Sequence, residues 1–202
     1  MNTKILRRAA VGSVFFVVAL GLGLHTNLLK LPLTVTITTE WLANSDDDRV
    51  LVGAAHNVFV GKVVRKVANK NTDIGPFTQF EVAIVTNIKG DFSGNVMIQQ
   101  QGGYREGVLY VVEGDPLLQP GSTYLFASRT GQEGDETWNV INGYPGSRKL
   151  ISDDPNLGPA ALLSIANSDA RVAELRTAYP NEILLDADVA HDNTPNSYQS
   201  LQ

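Results

Sequence analysis

The 202-residue chain has no cysteine, only two methionines, two tryptophans and three histidines. Without thiols there is no disulfide framework, no thiolate metal site, no cysteine nucleophile and no lipid-anchoring cysteine. His25, His56 and His191 lie too far apart in the sequence to suggest the clustered ligands of a catalytic metal. A nucleophile elbow G-x-S-x-G and a phosphate loop G-x-x-x-x-G-K-[ST] are both missing, and Gly102-Gly103-Tyr104 with Gly107 does not make G-x-G-x-x-G. Charge is scarce at 18% and unevenly spread. Lys4, Arg7, Arg8 and Lys30 are four of the sixteen basic side chains, and no acid lies among residues 1–30. Residues 31–202 therefore hold twelve bases against twenty-one acids, a net −9. So acidic a segment argues against binding phosphate backbones, and no nucleic-acid partner is expected. Hydrophobic content of 43% argues against wholesale disorder.

The longest uncharged run follows the first basic cluster. Ala9 to Leu24 spans sixteen residues, about 24 Å of helix at 1.5 Å each, and Leu28 and Leu29 extend it to twenty-one. Residues 1–29 read as a membrane anchor or signal segment, with membrane contact through Ala9–Leu29. The basic flank keeps the N-terminus cytoplasmic and sends the rest outside, as a single-pass membrane protein. The alternative is secretion after signal cleavage, for which Ala19, Gly21 and Gly23 offer small residues but no A-x-A. The core length and the poor cleavage site favour the anchor.

Residues 30–45 read as a connector with a short strand-like piece around Val35 and Ile37, and Pro32 stops any helix. Ser45 with Asp48 resembles a capping box, which predicts a short helix from about Asp46 to His56. Asp46–Asp48 as a calcium loop lacks the glycine turn and the distal carboxylate. Alternation then predicts strands at 57–67, 78–90, 95–101, 107–112, 122–128 and 136–141, with a polar loop from Lys70 to Pro76. Phe59, Gly61, Val63 and Val67 share one face of the first strand, and Phe80, Val82, Ile84 and Ile88 one face of the second. Strands of this number and spacing suit a mainly β fold, a small Greek-key barrel of the OB type over residues 46–152 with its short leading helix. Residues 153–189 form a C-terminal helical segment: Leu162, Ile165, Val172 and Leu175 recur at helical spacing from Pro159 to Tyr179, and Asn167-Ser168-Asp169 is expected to kink or divide the helix. Residues 190–202 read as a flexible tail.

The blocks HNVFVGKVV, QFEVAIVTNIKGDFSG, NVMIQQQGG and LLQPGSTYLFAS, between His56 and Ser128, resemble bacterial exported proteins with a TIMP-like OB-fold domain. That barrel is shared with netrin modules and tissue inhibitors of metalloproteinases. The resemblance implies a fold and carries no functional residue across, because the inhibitors act through an N-terminal cysteine that this chain lacks.

No catalytic, cofactor-binding or metal-ligating residue stands out. Glu81, Asp91, Glu106, Glu113 and Asp115 sit near turns, where carboxylates usually serve solvation. Lys62, Arg65, Lys66, Lys70 and Lys89 offer a modest basic edge, and Phe77, Tyr104 and Tyr110 are candidates for exposed rings. Ser128 reads as ordinary strand-end serine. The expectation is a non-enzymatic, membrane-tethered extracytoplasmic OB-like domain that binds a protein or a cell-envelope component and needs no cofactor. Two alternatives remain: an extracellular enzyme with an unrecognised carboxylate site, and a structural subunit of a membrane complex docked through its C-terminal helix.

Overall fold

The computed structural model describes residues 33–37, 47–133, 136–141 and 147–184. The Ala9–Leu29 segment, most of the connector and the tail lie outside the described residues. Among the described residues no helix is long and apolar enough to cross a membrane.

The fold is mainly β and is organised by one long strand. β2 (Asn57–Thr72) pairs along one edge with β3 (Gly75–Lys89) and along the other with β7 (Thr123–Glu133), both antiparallel. β4 (Asn95–Gln101) continues from β3, and β8 (Glu136–Ile141) pairs antiparallel with β7. Two residue pairs, Ile98↔Asn139 and Gln99↔Val140, join β4 to β8 in parallel. The strands thus run β2-β3-β4-β8-β7 and back to β2, a partly closed ring. β9 (Arg148–Ser152) extends the sheet beside the first half of β7. A separate three-stranded sheet contains β1 (Thr34–Ile37), parallel to β6 (Val108–Val112), with β5 (Gly103–Arg105) on the far side. Glu106 and Gly107 turn β5 into β6 with φ of 52° and 81°, the two positive values that a primed hairpin turn requires.

The expected polar loop at Lys70–Pro76 is instead the end of a long hairpin. Pairing continues to Thr72↔Gly75, and the Thr72 hydroxyl donates to the Gly75 carbonyl at 2.9 Å. Polar residues suit these strands because their far end is solvated. The expected single face of β3 is also corrected. Phe80, Val82 and Ile84 pack with Phe59 and Val63, but Ile88 packs in a different cluster, with Leu51, Val58 and Leu125. The cause is bulging: the register skips Val85 and Ile88 on β3, and Val64 and Val67 on β2. Each extra residue breaks the two-residue alternation. Val64 and Val67 are left exposed at 45% and 37%, while Val85 and Ile88 turn towards the helices.

Two cores result. Inside the ring, Phe59, Val63, Phe80, Val82, Ile98, Leu118, Tyr124 and Phe126 are buried, with Phe59 and Phe126 centroids 5.2 Å apart and Phe92 edge-on to Phe59 at 5.4 Å. Outside it, Val58, Val60, Leu125 and Ala127 meet Leu51 and Val52 of α1 (Asp48–Ala54), Ala166 of α2 (Pro159–Ser168), and Val172, Leu175 and Ala178 of α3 (Ala170–Ala178). β2 and β7 therefore bury both faces. The Gln100 side chain, also buried, fixes the loop before β7. It accepts from the Leu118 N–H at 2.9 Å and donates to the Asp115 carboxylate and the Pro116 carbonyl, each at 3.0 Å.

The first helix begins two residues later than the capping-box reading places it, and it ends at Ala54, two residues before His56. Asp47, not Ser45, is its N-cap, accepting from the Arg49 N–H at 2.9 Å. The C-terminal helical segment is divided rather than kinked, because Asp169 leaves helical geometry and caps α3 by accepting from the Arg171 and Val172 N–H groups. Lys149 of β9 donates to the same carboxylate at 2.8 Å. Pro180 lies in a 3-10 turn, Tyr179–Asn181, that ends the segment.

Two stability outcomes follow from this packing. Phe80 is 1% exposed, so Phe80→Ala should cost about 3–5 kcal/mol. Glu81→Ala, on the opposite face and paired with the exposed Arg65, should cost little; equal melting temperatures would disprove the register. Asp169→Ala removes a cap worth about 0.5–2 kcal/mol, whereas Asp169→Asn should retain most of it. Denaturant titration of both variants tests this, and equal losses would show that the carboxylate acts through Lys149 rather than as a cap.

Candidate functional site

The register of β2 decides which polar groups meet. Asn57 lies opposite Ser128 on β7, and Val58 lies opposite Lys89 on β3. His56, just before β2, is thereby brought between Arg129 and Lys89. These three side chains line a pocket of about 360 Å³, walled otherwise by Gly53, Ala54, Ala55 and Leu184. The pocket sits where α1 and the chain after α3 meet the ring.

Each member is held differently. The His56 N–H donates to the Ser128 carbonyl at 2.9 Å, and its Nδ1 accepts from the Thr130 N–H at 3.0 Å. An accepting Nδ1 leaves the neutral ring's proton on Nε2, a donor. Partial desolvation, and then the positive charges of Arg129 and Lys89, hold the imidazole below its ordinary pKa. Lys89 donates to the Val52 carbonyl at 2.9 Å and is ion-paired with Glu182. Its ammonium also stands 5.9 Å from the Tyr179 ring centroid. Arg129 is the unmatched member. Among the described residues it has no ion-pair partner, and its Nη1 is buried without a hydrogen-bond partner.

A second cleft, of about 780 Å³, runs between α1 and α3 and is lined by Asp48, Arg49, Ala170, Ala173, Glu174, Thr177, Ala178 and Asn181. Its charges are internally matched: Arg171 bridges Asp48 at 2.6 Å and Glu174 at 3.1 Å. Asp47 binds the Arg49 guanidinium, which holds its carboxyl down to about 2. Of the aspartates that a calcium loop would need, Asp47 is engaged in a cap and an ion pair and Asp48 in an ion pair, and Asp46 lies outside the described residues.

The other sequence candidates are dispersed. Glu81 holds Arg65 at 2.6 Å and Asn95 at 2.8 Å on the outer face of β3. Asp115 holds Arg148 at 2.6 Å. Asp91 follows Gly90 in the β3–β4 turn, Glu106 occupies the β5–β6 turn, and Glu113 follows β6. The basic side chains do not assemble into one edge. Lys62 donates to the Pro155 and Leu157 carbonyls, Lys66 lies over the Tyr104 ring at 5.4 Å, and Lys89 is at the pocket. Of the three rings, Phe77 is buried, Tyr110 half-buried and Tyr104 42% exposed. Ser128 is buried in β7, its hydroxyl without a hydrogen-bond partner. Among the described residues no group of three or more metal-ligating side chains occurs.

The chain matches no protein-family model and no curated protein.

Sequence reading singled out His56 and Lys89 for separate reasons and passed over Arg129. Only the pairing of β2 with both β3 and β7 makes them neighbours, and that pairing spans more than 70 residues. The hint present in the sequence was Ser128-Arg129-Thr130 breaking an otherwise apolar strand.

The depressed His56 pKa carries a pH dependence. Unfolded, the ring titrates near about 6.5. Between the lowered native value and 6.5 the unfolded chain holds more protons, so stability rises with pH there and falls as the solution is acidified through that window. His56→Gln should flatten that part of the melting-temperature profile, while an unchanged profile would show that His56 is not held neutral.

Proposed function

We propose that this protein is a non-enzymatic binding domain of OB-like architecture, tethered at the outer face of a membrane by Ala9–Leu29. The OB-like reading is supported by the order of the ring strands. Numbered along the ring alone, they run first, second, third, fifth, fourth and back to first, with the third and fifth parallel. The short block resemblances to exported TIMP-like domains point the same way.

One observation carries the binding role. The ring interior is filled by Phe59, Phe80, Phe126 and Ile98, so a ligand meets the outside of the barrel. The two clefts there lie at the junction with the helices and present donors and ion pairs rather than a nucleophile beside a base. That is the chemistry of recognition. The partner is a protein or an envelope component. The role of structural subunit in a membrane complex has one favouring feature, the exposure of Leu163, Tyr179, Ile183 and Leu184 along the C-terminal segment.

Protease added to intact cells or spheroplasts should digest the chain beyond residue 45 and leave an N-terminal membrane fragment. Complete protection would overturn the orientation. A mature N-terminus near Leu22 or Leu24 would replace the tether by secretion. Crosslinking in the native membrane, read by mass spectrometry, should attach partners to residues of the two clefts. Adducts confined to Leu163, Tyr179 and Ile183, which line neither cleft, would favour the subunit role instead.

A further inference from the structure

We propose that the pocket of His56, Lys89 and Arg129 binds a carboxylate carried on a short apolar group, either a small aliphatic monocarboxylate or the free C-terminus of an apolar peptide. The proposal deepens the binding role above and rests on it.

The polar lining is almost all donor. Nε2–H of His56 is the donor left by the Thr130 bond to Nδ1, and the Arg129 guanidinium has no acceptor among the described residues. A buried guanidinium nitrogen without a partner is costly, and the unmet charge belongs to the whole delocalised group. An anion against the wall that Arg129 lines offsets it. The charge count then selects the anion. Lys89 is matched by Glu182 and His56 is held neutral, so Arg129 supplies one net positive charge. A monoanion balances that charge; a phosphate dianion would leave one charge unmet. The remaining wall is Gly53, Ala54, Ala55 and Leu184, which suits alkyl rather than polar substituents. At about 360 Å³ the pocket exceeds the needs of a bare carboxylate.

The test uses the full-length chain, titrated with butyrate, acetate, inorganic phosphate, and a short peptide ending in leucine with a free or an amidated C-terminus. Chloride holds ionic strength constant, and the readouts are the His56 imidazole nitrogen shifts and the melting temperature. Butyrate should move the His56 signals and bind about tenfold more tightly than acetate, the effect of two buried methylenes. Phosphate should bind more weakly than butyrate. A free-terminus peptide that outbinds both butyrate and its own amide identifies a chain end as the source; butyrate binding without it identifies a small molecule. Arg129→Gln should melt higher than wild type in chloride alone, since the unmatched charge is gone, and should lose about tenfold or more in butyrate affinity. Silence of His56 towards every carboxylate would overturn the site. So would tighter binding of phosphate, or undiminished affinity in Arg129→Gln. Binding that needs removal of residues 185–202 would also overturn it, making Asp186 or Asp188 the native occupant. Any of these outcomes leaves the protease orientation and membrane crosslinks untouched, so this site and the broader binding role fail separately.

Discussion

Everything described depends on β2 being paired on both edges and buried on both faces. An antiparallel strand with one solvated face tolerates polar residues at every second position. From Val58 to Val63 the one such position is Lys62, whose ammonium reaches the Pro155 and Leu157 carbonyls. Val58 and Val60 face the helices, while Phe59 and Val63 face the ring interior. A residue slipped in register would exchange these two sets and put phenylalanine against Leu51 and Val52 of α1 and Ala166 of α2. The two cores thus share one strand and lock its register from opposite sides.

The ring closes elsewhere with much less. β4 and β8 meet over two residue pairs, and side chains reinforce that short seam. Asn57 donates to the Thr130 hydroxyl at 3.2 Å, Thr130 donates to Asn139 Oδ1 at 2.9 Å, and Asn139 donates to the Met97 carbonyl at 3.3 Å. The chain of bonds runs through β2, β7, β8 and β4 and crosses the seam. Asn69 docks the smaller sheet on the hairpin in a similar way, its amide mimicking a strand partner for Tyr104 at 2.6 and 2.7 Å. Gly103 makes that approach possible, because a Cβ there would collide with Asn69 and Thr78.

What could be read from sequence divides along the same physical line. Local alternation located the six strands, since period two is a property of consecutive residues, and the spacing of Leu162, Val172 and Leu175 located the helices. β4 was read from Asn95 to Gln101, as observed. β9 was not read, because Arg148-Lys149 opens it and only Leu150 and Ile151 are apolar. Bulges were illegible: Val64, Val67, Val85 and Ile88 fit a regular strand as well as a bulged one, and the difference lies in the pairing partner. Asp169 is legible as a kink or a division of the helix but not as a cap, although aspartate followed by an apolar-periodic run is the usual sign. The pocket was the least legible feature. His56, Lys89 and Arg129 belong to three segments, and no spacing rule relates residues joined only across β2.

The pocket's composition has a structural origin that separates two of its three basic side chains from the third. α1 has seven residues, too few to persist alone, and its C-terminal carbonyls must be satisfied from outside. Lys89 bonds the Val52 carbonyl, and at the other end of the helix the Ile183 N–H bonds the Arg49 carbonyl at 3.0 Å, docking the C-terminal segment along α1. Gly53 lets the chain at Ile183 approach that closely, since a Cβ would overlap its backbone. Glu182 follows from this docking: the segment that closes α1 brings the carboxylate that matches Lys89. His56 is likewise accounted for, because its Nδ1 satisfies the Thr130 N–H at the ring end. Arg129 has no such task. No helix end, carboxylate or carbonyl among the described residues requires it, and a neutral side chain of similar reach would pack there without an unmatched charge. A buried guanidinium nitrogen without a hydrogen-bond partner in the described fold is the kind of cost that a ligand-binding residue carries.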